Sequence, residues 1–324
     1  MAKKLPKIVK EIRNNPPSPV NYAYQKNISY SQMSIFRGCP HRWKLQYKDK
    51  IKRFTSSIHT VFGTAVHEAM QHYLDVAYEK SFAAADRDIN MEEYFQEAYI
   101  DEYQKQYKSN NSEHFSDASE MREFFEDGIA ILDWFKKKRS RYFSKKGTYL
   151  VGCEIPIVVA PNKMLNNVLY MGYLDVVTYH EETETFKIID IKTSTKGWNS
   201  YAKKDENKHF QLILYKQYFS EQYGIPLDKI EIEFFIVKRK VLDIDDDNIM
   251  SPYQAHRVQQ FTPPSGKIKL NRAKNAVNDF ITECFSPSGK IKEIDYLKSP
   301  SKWNCTFCPY GEDKELCGAG AHFE

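Results

Sequence analysis

Two aspartates and a lysine lie in apolar, β-branched runs that are typical of buried strands. Asp190 and Lys192 occur in IIDIKTS (188–194), and Asp175 occurs in MGYLDVV (171–177). Because side chains alternate along a strand, Asp190 and Lys192 are expected on the same face. For a D-x-K sequence by itself, the common explanation is an ordinary ion pair at a strand end.

Asp175 and Asp190 together predict a site for a hard divalent cation. Two adjacent antiparallel strands joined by a short turn would bring these carboxylates onto one face. Burying two like charges side by side is unfavourable unless they share a cation, and Mg²⁺ or Mn²⁺ is the usual partner of carboxylate oxygens. Lys192 beside such an ion could orient or help to deprotonate an attacking water, and it could stabilise charge on a phosphate oxygen.

Further candidate residues lie on predicted helices and on another predicted strand. His67 in GTAVHE borders an apolar helix face, and Gly63 one turn earlier leaves room for close backbone approach. Gln211 and Tyr215 in QLILY share one face of a later helix. Glu154 in GCEIPI fits an outer acidic role or a solvent-facing strand residue equally well. Each of these residues also has an ordinary structural explanation.

The elements that must position these residues change in type near the middle of the chain. A helix capped by Ser29 or Ser31 is expected to run through Leu45, and three β-rich runs are predicted between about 148 and 192. The resulting β-β-β-α-β order predicts an α/β (α+β) fold with a mixed central sheet flanked by helices and a helical N-terminal half. The other predicted elements are helices at about 59–78, 91–107, 117–139, 207–223 and 271–285, and a strand from about 229.

The predicted domain organisation is a flexible, extended N-terminal arm followed by a single domain. The chain has 324 residues, 41% of them hydrophobic, which is enough for a sizeable core. It has no apolar window of membrane-spanning length and no signal-peptide core, so a cytoplasmic protein without a membrane partner is expected. The boundaries are an arm at 1–27 and a domain at 28–324, divided into a helical part (28–147), a catalytic core (148–290) and a C-terminal cysteine segment (291–324).

Charge distribution points to local contact with a polyanion. The net charge is only +4, which excludes a protein that coats nucleic acid through bulk charge. Basic runs occur at 136–146, 238–240 and 267–274, and the first of them is interleaved with aromatic residues. Any one run is typical of a solvated helix end or loop, but three together make a nucleic-acid groove plausible. The sequence has no G-x-x-x-x-G-K-[ST] loop, so it encodes no ATP-driven motor.

Four of the six cysteines form a candidate metal-binding set. Cys305, Cys308 and Cys317 are spaced C-x₂-C-x₈-C, and Cys39 lies far upstream. Disulfides are not expected in a reducing compartment. Four thiolates can hold zinc or an iron–sulfur cluster, and the residue types do not choose between them. The remaining two, Cys153 and Cys284, are predicted to be buried thiols.

The motifs GTAVHE, GYLDVV, IIDIKTS and QLILY, in this order, resemble those of the RecB-type nucleases of the PD-(D/E)xK superfamily. The resemblance runs from about Ser29 to the C-terminus and implies a restriction-endonuclease-like core. It also implies that Lys192 is the catalytic lysine and that Gln211 and Tyr215 form the Q-x-x-x-Y helix beside the active site and the DNA. The metal ligands that it implies are His67, Asp175, Asp190 and the backbone carbonyl of Ile191.

The cysteine spacing is similar to that of an iron–sulfur subset of these nucleases, which includes the AddB subunit of bacterial break-processing complexes and CRISPR-associated adaptation nucleases. That resemblance implies a 4Fe–4S cluster held by one cysteine before the core and three after it. The gap between Cys308 and Cys317 is longer than this pattern, so structural Zn²⁺ stays an alternative. The implied ligands are Cys39, Cys305, Cys308 and Cys317.

The resemblance as a whole implies a DNA nuclease that uses metal-activated water. An exonuclease on single-stranded DNA or DNA ends is the favoured form. The alternatives are an endonuclease, a structure-specific nuclease, or a DNA-binding or assembly module that does not cut. DNA is the expected partner, together with a separate helicase or recombination protein. Phage recombination, DNA repair or degradation, and CRISPR spacer processing are all compatible settings.

Overall fold

The structure is a computed structural model that describes residues 5–17, 26–241 and 255–320. The chain divides into two compact units. The first unit comprises Met1–Pro16, Ser56–Ile155 and Tyr173–Pro264, and the second comprises Pro17–Thr55, Pro156–Gly172 and Ser265–Glu324.

The helices and strands follow the predicted order. The helices are α1 (Lys7–Asn14), α2 (Tyr30–Gly38), α3 (Pro40–Trp43), α4 (Ile58–Glu79), α5 (Phe82–Asp88), α6 (Met91–Ser109), α7 (Ala118–Lys138), α8 (Ser140–Phe143), α9 (Ser200–Lys204), α10 (Glu206–Tyr223), α11 (Lys267–Cys284) and α12 (Lys302–Cys305). The strands are β1 (Lys26–Ile28), β2 (Thr148–Val159), β3 (Val168–His180), β4 (Thr185–Ser194), β5 (Ile230–Lys238) and β6 (Val258–Phe261).

The strands form one mixed sheet of six strands. Their order is β1-β3-β4-β5-β6, and β2 also pairs with β3. Strands β3 and β4 are antiparallel, whereas β4 and β5 are parallel and are connected through α10. The predicted β-β-β-α-β order and the mixed sheet are therefore confirmed. Strands β1 and β6 were not predicted, because three or four residues are too short to show an alternating pattern.

The core of the first unit lies on both faces of the sheet. Ile189 and Ile191 of β4 and Phe235 of β5 belong to one apolar cluster with residues of α4, α6 and α7. Helix α10 packs against β4 and β5, with the rings of Phe186 and Phe219 in contact at 5.5 Å. Strand β4, which carries Asp190 and Lys192, is therefore held between two helical layers, an arrangement that fixes the direction of its side chains.

Residues 7–14, which the sequence placed in the extended arm, form the helix α1. Val9 and Ile12 are buried, and the Arg13 guanidinium donates hydrogen bonds to the carbonyl oxygens of Leu150 and Val151 at 2.7 and 3.0 Å. A helix of eight residues has little stability by itself, so these tertiary contacts explain a helix that a local pattern does not predict. The rest of the arm falls largely outside the described residues.

The first helix of the second unit begins as predicted, but it is interrupted before the chain continues in helical turns through Leu45. The Ser29 hydroxyl caps α2 by accepting a hydrogen bond from the Gln32 N–H at 3.4 Å. The expected helix through Leu45 is interrupted at Cys39, which has extended backbone and is followed by Pro40. Proline cannot continue a preceding helix because it lacks an N–H and clashes with the previous turn. The interruption leaves Cys39 between two short helices.

Candidate active site and cysteine cavity

Asp175 and Asp190 are brought together by the pairing of β3 with β4. The last pair of this antiparallel ladder is Val176 with Ile189, so the two aspartates lie opposite each other one residue beyond it. Asp175 Oδ2 accepts a hydrogen bond from the N–H of Ile191 at 2.7 Å. In an extended strand the C=O of a residue points to the same edge as its N–H, so the Ile191 carbonyl also faces this site.

Asp190 is a buried carboxylate in which only one of the two oxygens contacts a positively charged partner. Its side chain is only 1% exposed, and Oδ2 lies 2.8 Å from Lys192 Nζ. The predicted same-face arrangement of Asp190 and Lys192 is thereby confirmed. Oδ1 of Asp190 is buried without a hydrogen-bond partner among the described residues. A buried carboxylate oxygen left without a donor is unfavourable, and a cation would remove that cost.

The charges at this site alter one another's protonation. Burial raises the pKa of both Asp175 and Asp190 to about 6, although Lys192 opposes the rise. Burial lowers the pKa of Lys192, whereas the two carboxylates raise it. The carboxylates have the larger effect, so the pKa of Lys192 lies above its ordinary value. Lys192 therefore carries a proton at neutral pH.

His67 reaches the same site from α4. A Cβ on Gly63 would lie 3.1 Å from Thr193 Oγ1, so glycine allows α4 to approach β4 closely, as predicted. His67 Nδ1 is 3.6 Å from Asp175 Oδ2, and the ring also hydrogen-bonds the backbone of Ile191. Burial and the nearby Lys192 lower the pKa of His67 to about 4. The imidazole is thus neutral near pH 7, the form that binds metals.

The predicted amide–phenol pair of α10 is formed and lies beside the carboxylates. Gln211 Nε2 donates a hydrogen bond to the Tyr215 hydroxyl at 3.2 Å. Tyr215 is 6% exposed. Burial raises its pKa to about 12, and the charges of Asp190 and Asp175 add to the rise. Tyr215 therefore stays a neutral donor next to Asp175 and Asp190. These two aspartates and Lys192 are called the acidic site below.

The sequence did not indicate that Gln71 belongs to this site. Gln71 lies one turn after His67 and is 7% exposed. Its Nε2 donates to Glu154 Oε1 at 2.7 Å and to the carbonyl oxygen of Asp175 at 3.0 Å. An amide within the apolar face of α4, four residues after His67, was the available signal.

Glu154 adopts a backbone conformation that is uncommon for a residue with a side chain. Its φ is +51°, within a strand, and such strain is typical of positions held by their surroundings. The side chain is exposed and bonded to Gln71. Glu154 thus faces solvent as one of the two alternatives predicted, and its outer acidic role stays a prediction.

The donor set suits a hard divalent cation in composition. It contains two carboxylates, a neutral imidazole and a backbone carbonyl, which are ligand types that Mg²⁺ and Mn²⁺ accept. Within the described residues, no group of three or more His, Cys, Asp or Glu side chains is close enough to form a ready-made ion cage. Asp175 instead faces the Ile191 N–H and Asp190 faces Lys192. The observation that fits a bound cation is the buried Asp190 Oδ1, which no described residue contacts through a hydrogen bond.

The four candidate cysteines of the second unit line one small cavity. Cys39, Cys305, Cys308 and Cys317 are free thiols, and all four border a space of about 20 Å³. Burial raises the pKa of Cys308, and Cys317 and Cys39 add to the rise while Arg42 opposes it. Because a space of this size holds only a water-sized or ion-sized group, a larger cluster would require the surrounding groups to move.

Backbone and side-chain contacts tie the two ends of this cysteine set together. Asn304 Nδ2 donates to the carbonyl oxygen of Gly38 at 2.8 Å, between residues 266 positions apart. The Tyr310 hydroxyl donates to the carbonyl oxygen of Ile51 at 2.7 Å. His41 Nε2 lies 3.0 Å from the carbonyl oxygen of Leu316. The segment around Cys39 and the C-terminal cysteines are therefore held together by hydrogen bonds as well as by their common cavity.

The two remaining cysteines differ in exposure. Cys284 is fully buried, as predicted. Cys153 is only partly buried, which corrects the prediction of a buried thiol there. It packs against the core cluster with its Sγ 3.8 Å from the carbonyl oxygen of Gln71. The neighbouring irregular backbone at Glu154 accounts for this, because a left-handed residue interrupts the regular alternation of the strand.

The family of the chain follows from comparison with known proteins. A family model of the PD-(D/E)XK nuclease superfamily matches residues 27–317. The chain therefore belongs to the PD-(D/E)XK nuclease superfamily. Nucleases of this superfamily hydrolyse phosphodiester bonds and usually use Mg²⁺ or Mn²⁺. A search of curated proteins finds no match to the chain. No helix in the described part of the chain is long and apolar enough to cross a membrane.

Proposed function

We propose that this protein is a metal-dependent DNA exonuclease that acts on single strands or DNA ends. The observation that carries the proposal is the buried pair Asp175 and Asp190 beside Lys192, with one Asp190 oxygen that has no hydrogen-bond partner in the described part of the chain. A lost activity would leave no reason to keep this arrangement, since buried like charges lower stability. An endonuclease would use the same residues. The test below therefore decides whether cleavage requires a DNA end.

The divalent ion would be held by the two carboxylates, the imidazole and one backbone carbonyl. When bound, it would activate water and neutralise charge on the scissile phosphate. The ligands in this proposal are His67, Asp175, Asp190 and the carbonyl of Ile191.

The protein side chains have separate tasks in this proposal. Lys192, protonated and fixed 2.8 Å from Asp190, donates hydrogen bonds to a phosphate oxygen and to the attacking water. Tyr215 stays protonated beside it and, with Gln211, borders the path of the DNA. Gln71 holds Glu154 and the Asp175 backbone in place, which limits the movement of Asp175 when the site fills.

The four thiols of the second unit are proposed to hold a structural metal centre. A 4Fe–4S cluster is the primary assignment and Zn²⁺ is the alternative. The shared cavity and the mutual influence of Cys39, Cys308 and Cys317 support a common ligand. The small volume of the cavity favours the zinc alternative if the surrounding groups do not move. Because the sequence contains no motor motif, a separate helicase or recombination protein is the proposed partner.

The experiment is a cleavage time course on three DNA substrates. Wild type, Lys192→Ala and the control Lys196→Ala, an exposed lysine of the following loop, are incubated with end-labelled single-stranded, linear duplex and closed circular DNA. Each reaction contains Mg²⁺, Mn²⁺ or EDTA. We expect metal-dependent loss of DNA with ends, a loss of activity of about 10²-fold or more in Lys192→Ala, and little effect in Lys196→Ala.

The substrates distinguish the remaining alternatives. Cleavage of closed circles would identify an endonuclease. Absence of cleavage with every metal, combined with tight DNA binding, would identify a binding or assembly module. Full activity of Lys192→Ala would refute the assignment of the site.

A further inference from the structure

A large open cavity lies in the first unit at the start of the edge strand β6. Its volume is about 750 Å³, and its walls come from α7, α8, α9, β5 and β6. This volume is in the range of ligand-binding sites. The cavity is called the basic cavity below because of the residues that line it.

The described lining of the basic cavity is positively charged. It contains Lys138, Arg141, Lys203, Lys238 and Arg257, and none of its described residues is Asp or Glu. Two of the basic runs in the sequence, 136–146 and 238–240, thus contribute to one surface. A concave surface with one sign of charge concentrates ligands of the opposite sign.

Two of these cations lie close together in a poorly solvated position. Lys238 is 4% exposed, and Arg257 Nη1 donates to the carbonyl oxygens of Lys238 and Arg239 at 3.0 and 2.7 Å. Burial and the charge of Arg257 lower the pKa of Lys238. Nε of Arg257 is buried without a hydrogen-bond partner among the described residues. Asp127 opposes the lowering of the Arg257 pKa by burial, and an anion in the basic cavity would favour the charged form of both side chains.

The basic cavity lies at the β6 edge of the sheet and is lined from both faces. Tyr142 of α8 contacts Phe235, which projects from the face opposite Lys192, whereas Lys238 lies on the face that carries Lys192. The β4–β5 register pairs Lys192 with Ile236 and Ser194 with Lys238, so Lys192 and Lys238 project from the same face. Adjacent strands are about 4.8 Å apart and two residues along a strand span about 6.6 Å, so the α-carbons of these lysines are about 8 Å apart. A polymer bound in the cavity can therefore reach the acidic site.

The loop after β4 is fixed between these two places. Gln259 of β6 accepts from the Trp198 N–H at 2.8 Å and donates to the Trp198 carbonyl oxygen at 3.1 Å. Gly197 has φ +87°, and a Cβ there would lie 3.0 Å from Lys238. These contacts tie the loop between β4 and α9 to β5 and β6 beside the basic cavity.

Aromatic rings complete the wall of the basic cavity. Trp134 is partly exposed and lies 6.0 Å from Tyr142, centroid to centroid. Both residues line the cavity. Aromatic rings beside Lys and Arg side chains are the combination that binds single strands, since bases stack and phosphates pair with cations.

We propose that the basic cavity binds the single-stranded DNA segment that adjoins the phosphodiester cut beside Lys192. The phosphates contact Lys138, Lys203 and Arg257, and a base stacks on Trp134. This inference rests on the proposed nuclease function and adds the position of the strand to it. A free mononucleotide offers the same chemistry, and the test separates the two.

The test uses charge reversal in the complete protein with matched controls. Lys138→Glu/Lys203→Glu alters the basic cavity. Lys137→Glu/Lys204→Glu makes the same change at neighbouring exposed lysines that do not line it. Binding of a fluorescent oligo-dT strand and of dTMP is measured in EDTA at several salt concentrations. Metal-dependent cleavage of the oligonucleotide and of bis-p-nitrophenyl phosphate, which is too small to reach the cavity, is measured separately.

We expect the cavity variant to bind oligo-dT about tenfold or more weakly, with a smaller salt slope, and to cut it correspondingly slowly at low substrate concentration. Its hydrolysis of bis-p-nitrophenyl phosphate should match that of wild type. Trp134→Leu should weaken oligo-dT binding without changing the salt slope. The Lys137→Glu/Lys204→Glu control should stay within about twofold of wild type.

Failure of this inference is distinct from failure of the proposed function. If wild type cuts DNA and the cavity variant binds and cuts as the control does, the inference is overturned and the nuclease function stands. Tight dTMP binding that is lost in the cavity variant, with unchanged oligo-dT binding, would also overturn it. If wild type cleaves neither substrate, the proposed function itself fails, and oligo-dT binding still tests the cavity.

Discussion

At the residue scale, the candidate site places two carboxylates where burial disfavours the charged form of each. Asp190 is 1% exposed and lies opposite Asp175 on the neighbouring strand. Lys192 offsets only part of the cost, because the pKa of each aspartate stays raised. The protein thus keeps an unfavourable local charge arrangement, which is typical of functional sites.

The raised carboxylate pKa values predict the acid limb of the pH–rate profile, that is, the pH range in which cleavage increases from low pH. Both aspartates must lose their protons to hold a divalent ion, so cleavage should increase with pH through about 6. His67, whose pKa is lowered to about 4, is already neutral there. Because metal binding competes with protons, saturating Mn²⁺ should move the limb to lower pH than limiting Mn²⁺. Initial rates measured between about pH 5 and pH 9 check this, and a limb indifferent to metal concentration would contradict it.

The same pKa values predict that removing one charge stabilises the metal-free protein. Between the ordinary aspartate pKa of about 4 and the folded value of about 6, the native state binds more protons than the unfolded state, so stability falls as pH rises through that window. His67 acts in the opposite direction, because its folded pKa lies below the unfolded one. Because two aspartates act against one histidine, the folded protein loses stability overall as the pH rises through this window.

Asp190→Asn should therefore raise the free energy of unfolding by about 1–3 kcal/mol at pH 8 in EDTA, with little change near pH 4. Urea unfolding at both pH values measures this. The control is Asp133→Asn, an exposed aspartate on α7, which should have no comparable effect. Lower stability of Asp190→Asn at pH 8 would show that the carboxylate is well compensated.

At the element scale, the position of α4 against β4 decides where His67 lies. Gly63 is the contact point, since a Cβ there would be 3.1 Å from Thr193 Oγ1. The helix also carries Gln71, which holds Glu154 and the Asp175 backbone. A small displacement of this one helix would therefore move several parts of the site together.

Gly63→Val should lower cleavage about 10²-fold while the protein stays folded, because a displacement near 1 Å is enough to misplace a catalytic group. Valine has a better helix propensity than glycine, so unfolding is not the expected cause. Thr60→Val, at an exposed position of the same helix, serves as the control. Equal activity of the two variants, with unchanged dependence on Mn²⁺ concentration, would remove the proposed role of this contact.

At the scale of the whole molecule, the cysteine set joins distant parts of the second unit. Gly38 and Asn304 are linked by a hydrogen bond across 266 positions, and Cys39 and Cys308 border the same cavity. A bound metal would close a long loop of the unfolded chain and so stabilise the folded state.

Cys308→Ser should lower the melting temperature of the protein as purified, and it should remove the bound metal. Iron, sulfide and zinc contents, together with visible absorbance, identify the group. Cys153→Ser is the control, because Cys153 belongs to the first unit and does not line the cavity. A stable Cys308→Ser protein with no metal in either form would eliminate the proposed metal centre.

Local patterns in the sequence determined the fold class and the paired carboxylates. Alternation along IIDIKTS placed Asp190 and Lys192 on one face, and the turn between β3 and β4 set the register that brings Asp175 opposite Asp190. Helix periodicity and capping similarly predicted α4, α6, α7 and α10. The roles of these residues in metal binding and catalysis stay predictions.

Only the tertiary structure decided which distant residues meet. It formed the short helix α1, joined Gln71 to Glu154, left Cys153 partly exposed, and brought two basic runs into one cavity. These features depend on contacts between residues far apart in the chain, which leave no periodic signal in either segment. The sequence determines the elements and the faces they present, whereas packing of those faces decides which side chains share a site.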